Sequence, residues 1–301
     1  MKLEDRYVVL TKPQAHAIQL EVRDYLNEQQ VPTSLEKTDP LVLKVFQIIS
    51  HMSPDFKKIL EKRIIGWTVA KDMPGLAYTE KLYNQKNIIE KGLLIINEKT
   101  VDKSYTESCG IREASVYNTV STNKLQCLST PNDFSALLYA FSYGAGQLFI
   151  HNNSFIPYYS PSPESNEAVE RNPFSKISWE WDGKDRFKHR NRDMLRWPAE
   201  RRYYLFSLAH LLDNSTMPDH FSVFKKSKFP SFFATLTPET DWTETFTYLL
   251  LEKFYKVKFS FALWRNSKLV DTAKSCLDDN RCNDKRNLLD FYISNVDLFE
   301  R

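Results

Sequence analysis

The side chains that could do polar chemistry in this sequence are six histidines, four cysteines and a set of carboxylates, so their spacing is read first. His210 and His220 frame the stretch LLDNSTMPD, with Asp213 and Asp219 nearby; they could form a site of their own or be hydrogen-bonded histidines near a helix end. His16, His51, His151 and His189 stand apart from one another. Cys109, Cys127, Cys276 and Cys282 form two local pairs without the C-x-x-C spacing of a zinc knuckle. They read either as two disulfides, 109–127 and 276–282, which would imply an oxidising compartment, or as four buried thiols. Glu180 and Asp182 alternate with Trp179 and Trp181 in WEWDGKD, a pattern that suits a carbohydrate-binding face or an ordinary aromatic loop. No G-x-S-x-G nucleophile elbow occurs, and Ser142, in an apolar stretch with no base nearby in sequence, reads as a space-filler.

Composition narrows the classes. Glycine is scarce, at 7 residues, and neither G-x-G-x-x-G nor G-x-x-x-x-G-K-[ST] occurs, which argues against glycine-cradled phosphates. The stretch from Lys184 to Arg202 is strongly basic, with Arg190, Arg192, Phe187 and Trp197 among its residues. The whole chain, however, carries a formal charge of only +3, so a dedicated nucleic-acid binder is not expected. No apolar run reaches the ~18 residues of a membrane span. The opening MKLEDRYVVL lacks a basic-then-apolar leader, so a cytosolic chain or a mature exported form is expected.

The elements that must position these groups follow from caps and periodicity. An amphipathic helix opens at Thr11-Lys12-Pro13, and Asp39-Pro40 and Ser53-Pro54 start helices running to about Ser50 and Lys62. Ile64–Ala70 and Gly92–Asn97 read as strands, with a polar segment containing Pro74-Gly75 between them. Thr130-Pro131-Asn132-Asp133 reads as the start of a buried central helix through Phe149. Residues 152–175 read as a loop and Ala199–Leu212 as a helix. Thr237-Pro238-Glu239 caps another helix through about Lys253, Lys256–Leu263 alternates like a strand, and two short helices follow from Asn266. This order predicts an α+β fold in one globular unit: a helical segment 1–63, a core 64–264 and a helical segment 265–301.

Several stretches together resemble secreted bacterial zinc metallopeptidases of the zincin fold with a glutamate third ligand (the gluzincin type). IIGWTVAKDMPGLAYTEKLYN and GLLIINEKTVD resemble that family's sheet and edge strand, NPFSKISWEW its aromatic loop, and FPSFFATLTPETDWTETFTYLL its F-P-S-L-Y-A…P-x-E-D-F-A-E-x-F-A-x-Y pattern. The resemblance covers roughly residues 64 to 255. It implies a small mixed sheet with an edge strand over a buried helix, and it places Glu244 at the third zinc ligand and Asp241 at the acid before it. Zincin chemistry also needs two histidines at i and i+4 with a glutamate base beside the first. Aligning the glycine of H-E-x-G-H with Gly144 puts Phe141, Ser142 and Ala145 at those positions, and none of them can ligate. No catalytic zinc and no other cofactor are therefore expected.

The function implied is that of a pseudoenzyme: a metallopeptidase-like protein, periplasmic or secreted, that binds a protein or peptide partner in the former substrate cleft. Trp179, Trp181, Arg190, Arg192 and Trp197 are the candidate wall or surface-binding residues. A hydrolase acting on cell wall or glycan through unrelated carboxylates, or a translocated effector binding a host protein, are the alternatives.

Overall fold

The computed structural model describes residues 1–22, 31–73, 75–85, 89–118, 121–150, 172–181, 187–190 and 212–295. The α+β class holds: helices surround two small sheets and a two-stranded ribbon. A first helix, α1 (Lys12–Val22), precedes β1 (Thr33–Ser34). α2 (Pro40–His51) and α3 (Pro54–Arg63) start where expected, because Asp39 and Ser53 accept hydrogen bonds from Leu41 N and Phe56 N ahead of a first-turn proline. β2 (Ile64–Lys71), β3 (Ala77–Tyr83) and β4 (Ile89–Asn97) complete a mixed sheet of order β1-β2-β4-β3. β2 and β4 run parallel, and β3 pairs antiparallel on the outer side of β4, with Thr79 opposite Leu94 and Lys81 opposite Gly92.

α4 (Tyr105–Ala114) opens with a capping box between Ser104 and Glu107. It leads to β5 (Asn123–Thr130), which joins β8 (Lys258–Arg265) and β9 (Lys268–Lys274) in a second, antiparallel sheet of order β5-β8-β9. This sheet corrects two expectations. Thr130 ends a strand, opposite Lys258, and the central helix α5 (Ala136–Phe149) is instead capped by Ser135, whose hydroxyl accepts from Leu137 N. The chain after Asn266 first turns back as β9; only then do one-turn 3-10 segments and α9 (Asn283–Ser294) follow. Between them, α6 (Ser175–Ser178), the ribbon β6 (Trp179–Trp181) and β7 (Phe187–His189), α7 (Met217–Phe224) and α8 (Pro238–Tyr255) complete the described elements.

α5 is buried on nearly every side, and two glycines let it approach both neighbours closely. A side chain at Gly144 would come 2.7 Å from Leu94 of β4 and 3.2 Å from Thr79 of β3; one at Gly146 would come 3.1 Å from Phe246 of α8. The helix is thereby held between strands β3 and β4 of the first sheet and α8. One apolar core includes Leu3, Trp67, Phe141, Phe246 and Ile293, so it draws on both ends of the described chain. Both cysteine pairs are bonded: Cys109–Cys127 ties α4 to β5, and Cys276–Cys282 closes a short loop before α9. No described helix is long and apolar enough to cross a membrane.

Candidate functional site

α8 carries the two acids singled out by the sequence, Asp241 and Glu244, at i and i+3. Both are fully buried, yet they enter different clusters. Thr237 and Thr240 cap the helix start reciprocally, which fixes where α8 begins.

Glu244 meets Arg112 from the last turn of α4. Arg112 Nη1 lies 2.9 Å from Oε1 and Nη2 3.4 Å from Oε2, so the guanidinium engages both carboxylate oxygens. Nη2 also donates to Glu113 Oε1 at 2.7 Å, and Nη1 donates to the Tyr139 hydroxyl at 2.6 Å. Tyr139, on α5, in turn donates its hydroxyl hydrogen to Glu244 Oε1. The guanidinium carbon stands 4.5 Å over the Phe233 ring, and the hydroxyls of Tyr105 and Tyr248 lie 2.6 Å apart in the same aromatic layer. Burial opposes charge on Arg112, but Glu244, then Tyr139 and Glu113, hold its pKa well above the ordinary value. Desolvation pushes the Tyr139 phenol well above its ordinary range, so it stays protonated and acts as a donor.

Asp241 meets Lys285 from α9. The Lys285 amine lies 2.6 Å from each carboxylate oxygen and donates to Lys228 O at 2.5 Å, while the Trp179 indole N–H reaches Asp241 Oδ2 at 3.0 Å. The rings of Phe229 and Phe174 lie 4.6 and 5.3 Å from the amine. Desolvation draws the two groups toward neutrality, raising Asp241 and lowering Lys285, against their mutual attraction. This cluster joins α8 to α9 and to the aromatic segment around β6.

The candidate residues therefore separate. On α5 the residue that touches Glu244 is Tyr139, with Tyr143 one turn on and stacked against it at 5.9 Å. Phe141 packs toward Trp67 of β2 with ring centroids 6.4 Å apart, Ser142 donates to Leu138 O, and Ala145 is fully buried. Trp179, expected on a cleft wall or surface, is only 1% exposed, because its indole is spent on Asp241 and its ring on Phe229 and His189. Arg190 is exposed and donates to Trp179 O at 2.7 Å. His189 bonds Thr235 O and His220 bonds the Tyr117 hydroxyl, which makes both ordinary buried hydrogen-bonded imidazoles. The Trp181 side chain, Arg192, Trp197, His151, His210, Asp182 and most of the basic stretch lie outside the described residues.

A metallopeptidase zinc does not fit this constellation. Zinc takes about three protein donors around an open position. Here the single matching carboxylate is already bound by a guanidinium, and its α5 neighbour is a protonated phenol. Among the described residues, the one group of three potential ligands is Cys109, Glu113 and Cys127, and its two sulfurs are joined to each other.

Open space lies nearby, along the sheet edge. A groove of about 290 Å³ is lined by Ala77–Lys81 and Tyr83 of β3 and by Gln147 of α5. Lys81 reaches Glu239 in the first turn of α8 at 2.8 Å. The edge strand, the central helix and the carboxylate-bearing helix thus converge at one place. Against known proteins, no family model, curated sequence or solved structure matches this chain.

Proposed function

We propose that this chain is a zincin-like pseudoenzyme that binds an extended peptide or protein segment along β3 without hydrolysing it. The observation that carries the reading is the groove beside β3, the last strand of its sheet among the described residues; Glu244, buried and paired with the chain's own arginine, argues against hydrolysis. An edge strand offers backbone N–H and C=O groups to a partner strand, and the side chains beside it select the sequence. Tyr83, Lys81 and Gln147 supply that selectivity. Glu113 and Glu244, the two carboxyls that share Arg112, are buried and spent on it, which favours binding over carboxylate-based glycan hydrolysis. The two disulfides favour an exported protein, secreted or periplasmic, over a cytosolic one or a translocated effector.

The test is selection from a displayed library of random linear peptides, followed by resynthesis of the binders with alternate backbone nitrogens methylated. Strand addition predicts that methylation in one register abolishes binding and in the other leaves it intact. Binders indifferent to both registers, or a library that yields none, would overturn the proposal.

A further inference from the structure

Glu244 has the surroundings of a cation seat. It is fully buried at the junction of three helices, it receives a phenol hydroxyl from α5, and it faces a positive group supplied from α4. A carboxylate that stays charged out of water at such a junction needs a bound ion or a charged side chain beside it. We propose that the Arg112 guanidinium is a built-in substitute for a bound cation at Glu244, and that vacating it opens a site for a free guanidinium ion or a divalent metal. The inference rests on the pseudoenzyme reading for its meaning but not for its geometry.

Three features give the guanidinium the role of an ion. Its two terminal nitrogens donate to Glu244, Glu113 and the Tyr139 hydroxyl, and the Phe233 ring lies across its face, while Nε is buried without a hydrogen-bond partner among the described residues. Its helix is clamped one turn earlier, where Cys109 is tied to β5 and lies 3.8 Å from Nη2. It also joins α4, α5 and α8, three separate elements, through one charged group, much as a coordinated ion would. On α5 the Tyr139 hydroxyl touches the carboxylate, and the Tyr143 ring, four residues on, is stacked on the Tyr139 ring at 5.9 Å. A chain with this arrangement folds with its charge centre already filled and independent of metal supply.

The experiment uses the full chain carrying Arg112→Ala, followed by thermal unfolding with millimolar methylguanidinium chloride, with zinc chloride, or with sodium chloride at matched ionic strength. The expected result is a fall in Tm on the order of 10 °C, from leaving a buried carboxylate unpaired. Methylguanidinium should then give a saturable recovery that sodium chloride does not, and the wild-type protein should show no such recovery. A folded variant that no cation restores would overturn the proposal.

If Arg112→Ala does not fold, Arg112→Met is compared with Arg112→Met/Glu244→Gln. A double variant that folds better than the single one supports the seat, and a double variant no better overturns it. Library selection on the wild-type chain reads the β3 groove separately. Failed rescue with intact peptide binding therefore sinks the seat alone, and lost peptide binding with intact rescue sinks the functional reading alone.

Discussion

Asp241 and Glu244 stand one helical turn apart on α8, are equally buried, and each meets one cation, but the two clusters are built differently. At Asp241 the partner is a compact amine on α9, flanked by Phe174 and Phe229, the acid also accepts from the Trp179 indole, and desolvation draws acid and amine toward neutrality. At Glu244 the partner is a planar guanidinium whose donors reach a second carboxyl and a phenol, and whose pKa rises. Lysine is a point charge that gives up its proton readily when buried, whereas arginine keeps its charge and spreads it over several acceptors. The contrast separates a closed pair that fastens two helices from a charged hub that organises three elements.

The strongest way to break this comparison is to delete one partner at a time. Arg112→Met and Lys285→Met should each cost about 3–5 kcal/mol, because each strands a buried carboxylate; chemical denaturation of the full chain measures both. The paired replacements should then diverge. Asp241→Leu/Lys285→Met should recover most or all of the loss, since little besides the Trp179 indole and Lys228 O is left without a partner. Arg112→Met/Glu244→Leu should recover less, because Glu113 and Tyr139 lose their shared donor and acceptor. Equal recovery in the two cycles would erase the distinction.

The disulfides sharpen the same contrast at smaller magnitude. Cys109 and Cys127 are 18 residues apart and Cys276 and Cys282 are 6 apart. Loop-closure entropy alone then predicts losses of about 3 and about 2 kcal/mol for the respective Ala pairs. The first should exceed that difference, because it also loosens the helix that presents Arg112; urea midpoints of the two variants test the order.

At the surface, acid should act through a paired carboxylate on α8. Against the desolvation that would raise it, hydrogen bonds from Arg286 and Lys258 hold the Glu252 carboxyl below its ordinary value. A depressed carboxylate stabilises the fold above its unfolded pKa, and that contribution fades as pH falls through the lower folded value. Urea midpoints should therefore decline below about pH 4.5, and Arg286→Met should flatten that decline. The smallest effect is expected at Lys81→Ala. Its half-exposed bridge to Glu239 is worth at most about 1 kcal/mol, so Tm should hardly move while peptide affinity at β3 changes.

Much of the scaffold was legible because caps and prolines are local signals. Asp39-Pro40, Ser53-Pro54 and Thr237-Pro238 announce three helices, and the structure starts them there. Of the second sheet, only β8 was read, as the alternating stretch Lys256–Leu263, and its partners β5 and β9 were not. β5 alternates buried Leu125, Cys127 and Ser129 with more exposed residues, a period-2 pattern overshadowed by the Thr130-Pro131 helix signal that follows it. β3, AYTEKLY, is a polar edge strand whose pairing with β4 comes from its neighbour, so its own sequence carries little strand signal. At the site, the acids on α8 could be named from their spacing, but their cations could not. Arg112 and Lys285 lie 132 and 44 residues from their partners and carry no motif, and only the fold brings them together. Tyr139 and Tyr143 have helical i,i+4 spacing, but a phenol in an apolar helix carries no signal of the buried carboxylate that Tyr139 meets.

Under the proposed zincin-like reading, the protein's own Arg112 takes the place of a peptidase's metal beside Glu244. Zinc analysis of the purified wild-type chain, after loading and gel filtration and alongside a casein digestion assay, tests it most directly. The account predicts that no zinc is retained and no casein is cleaved. One tightly held zinc per chain together with casein cleavage would contradict it.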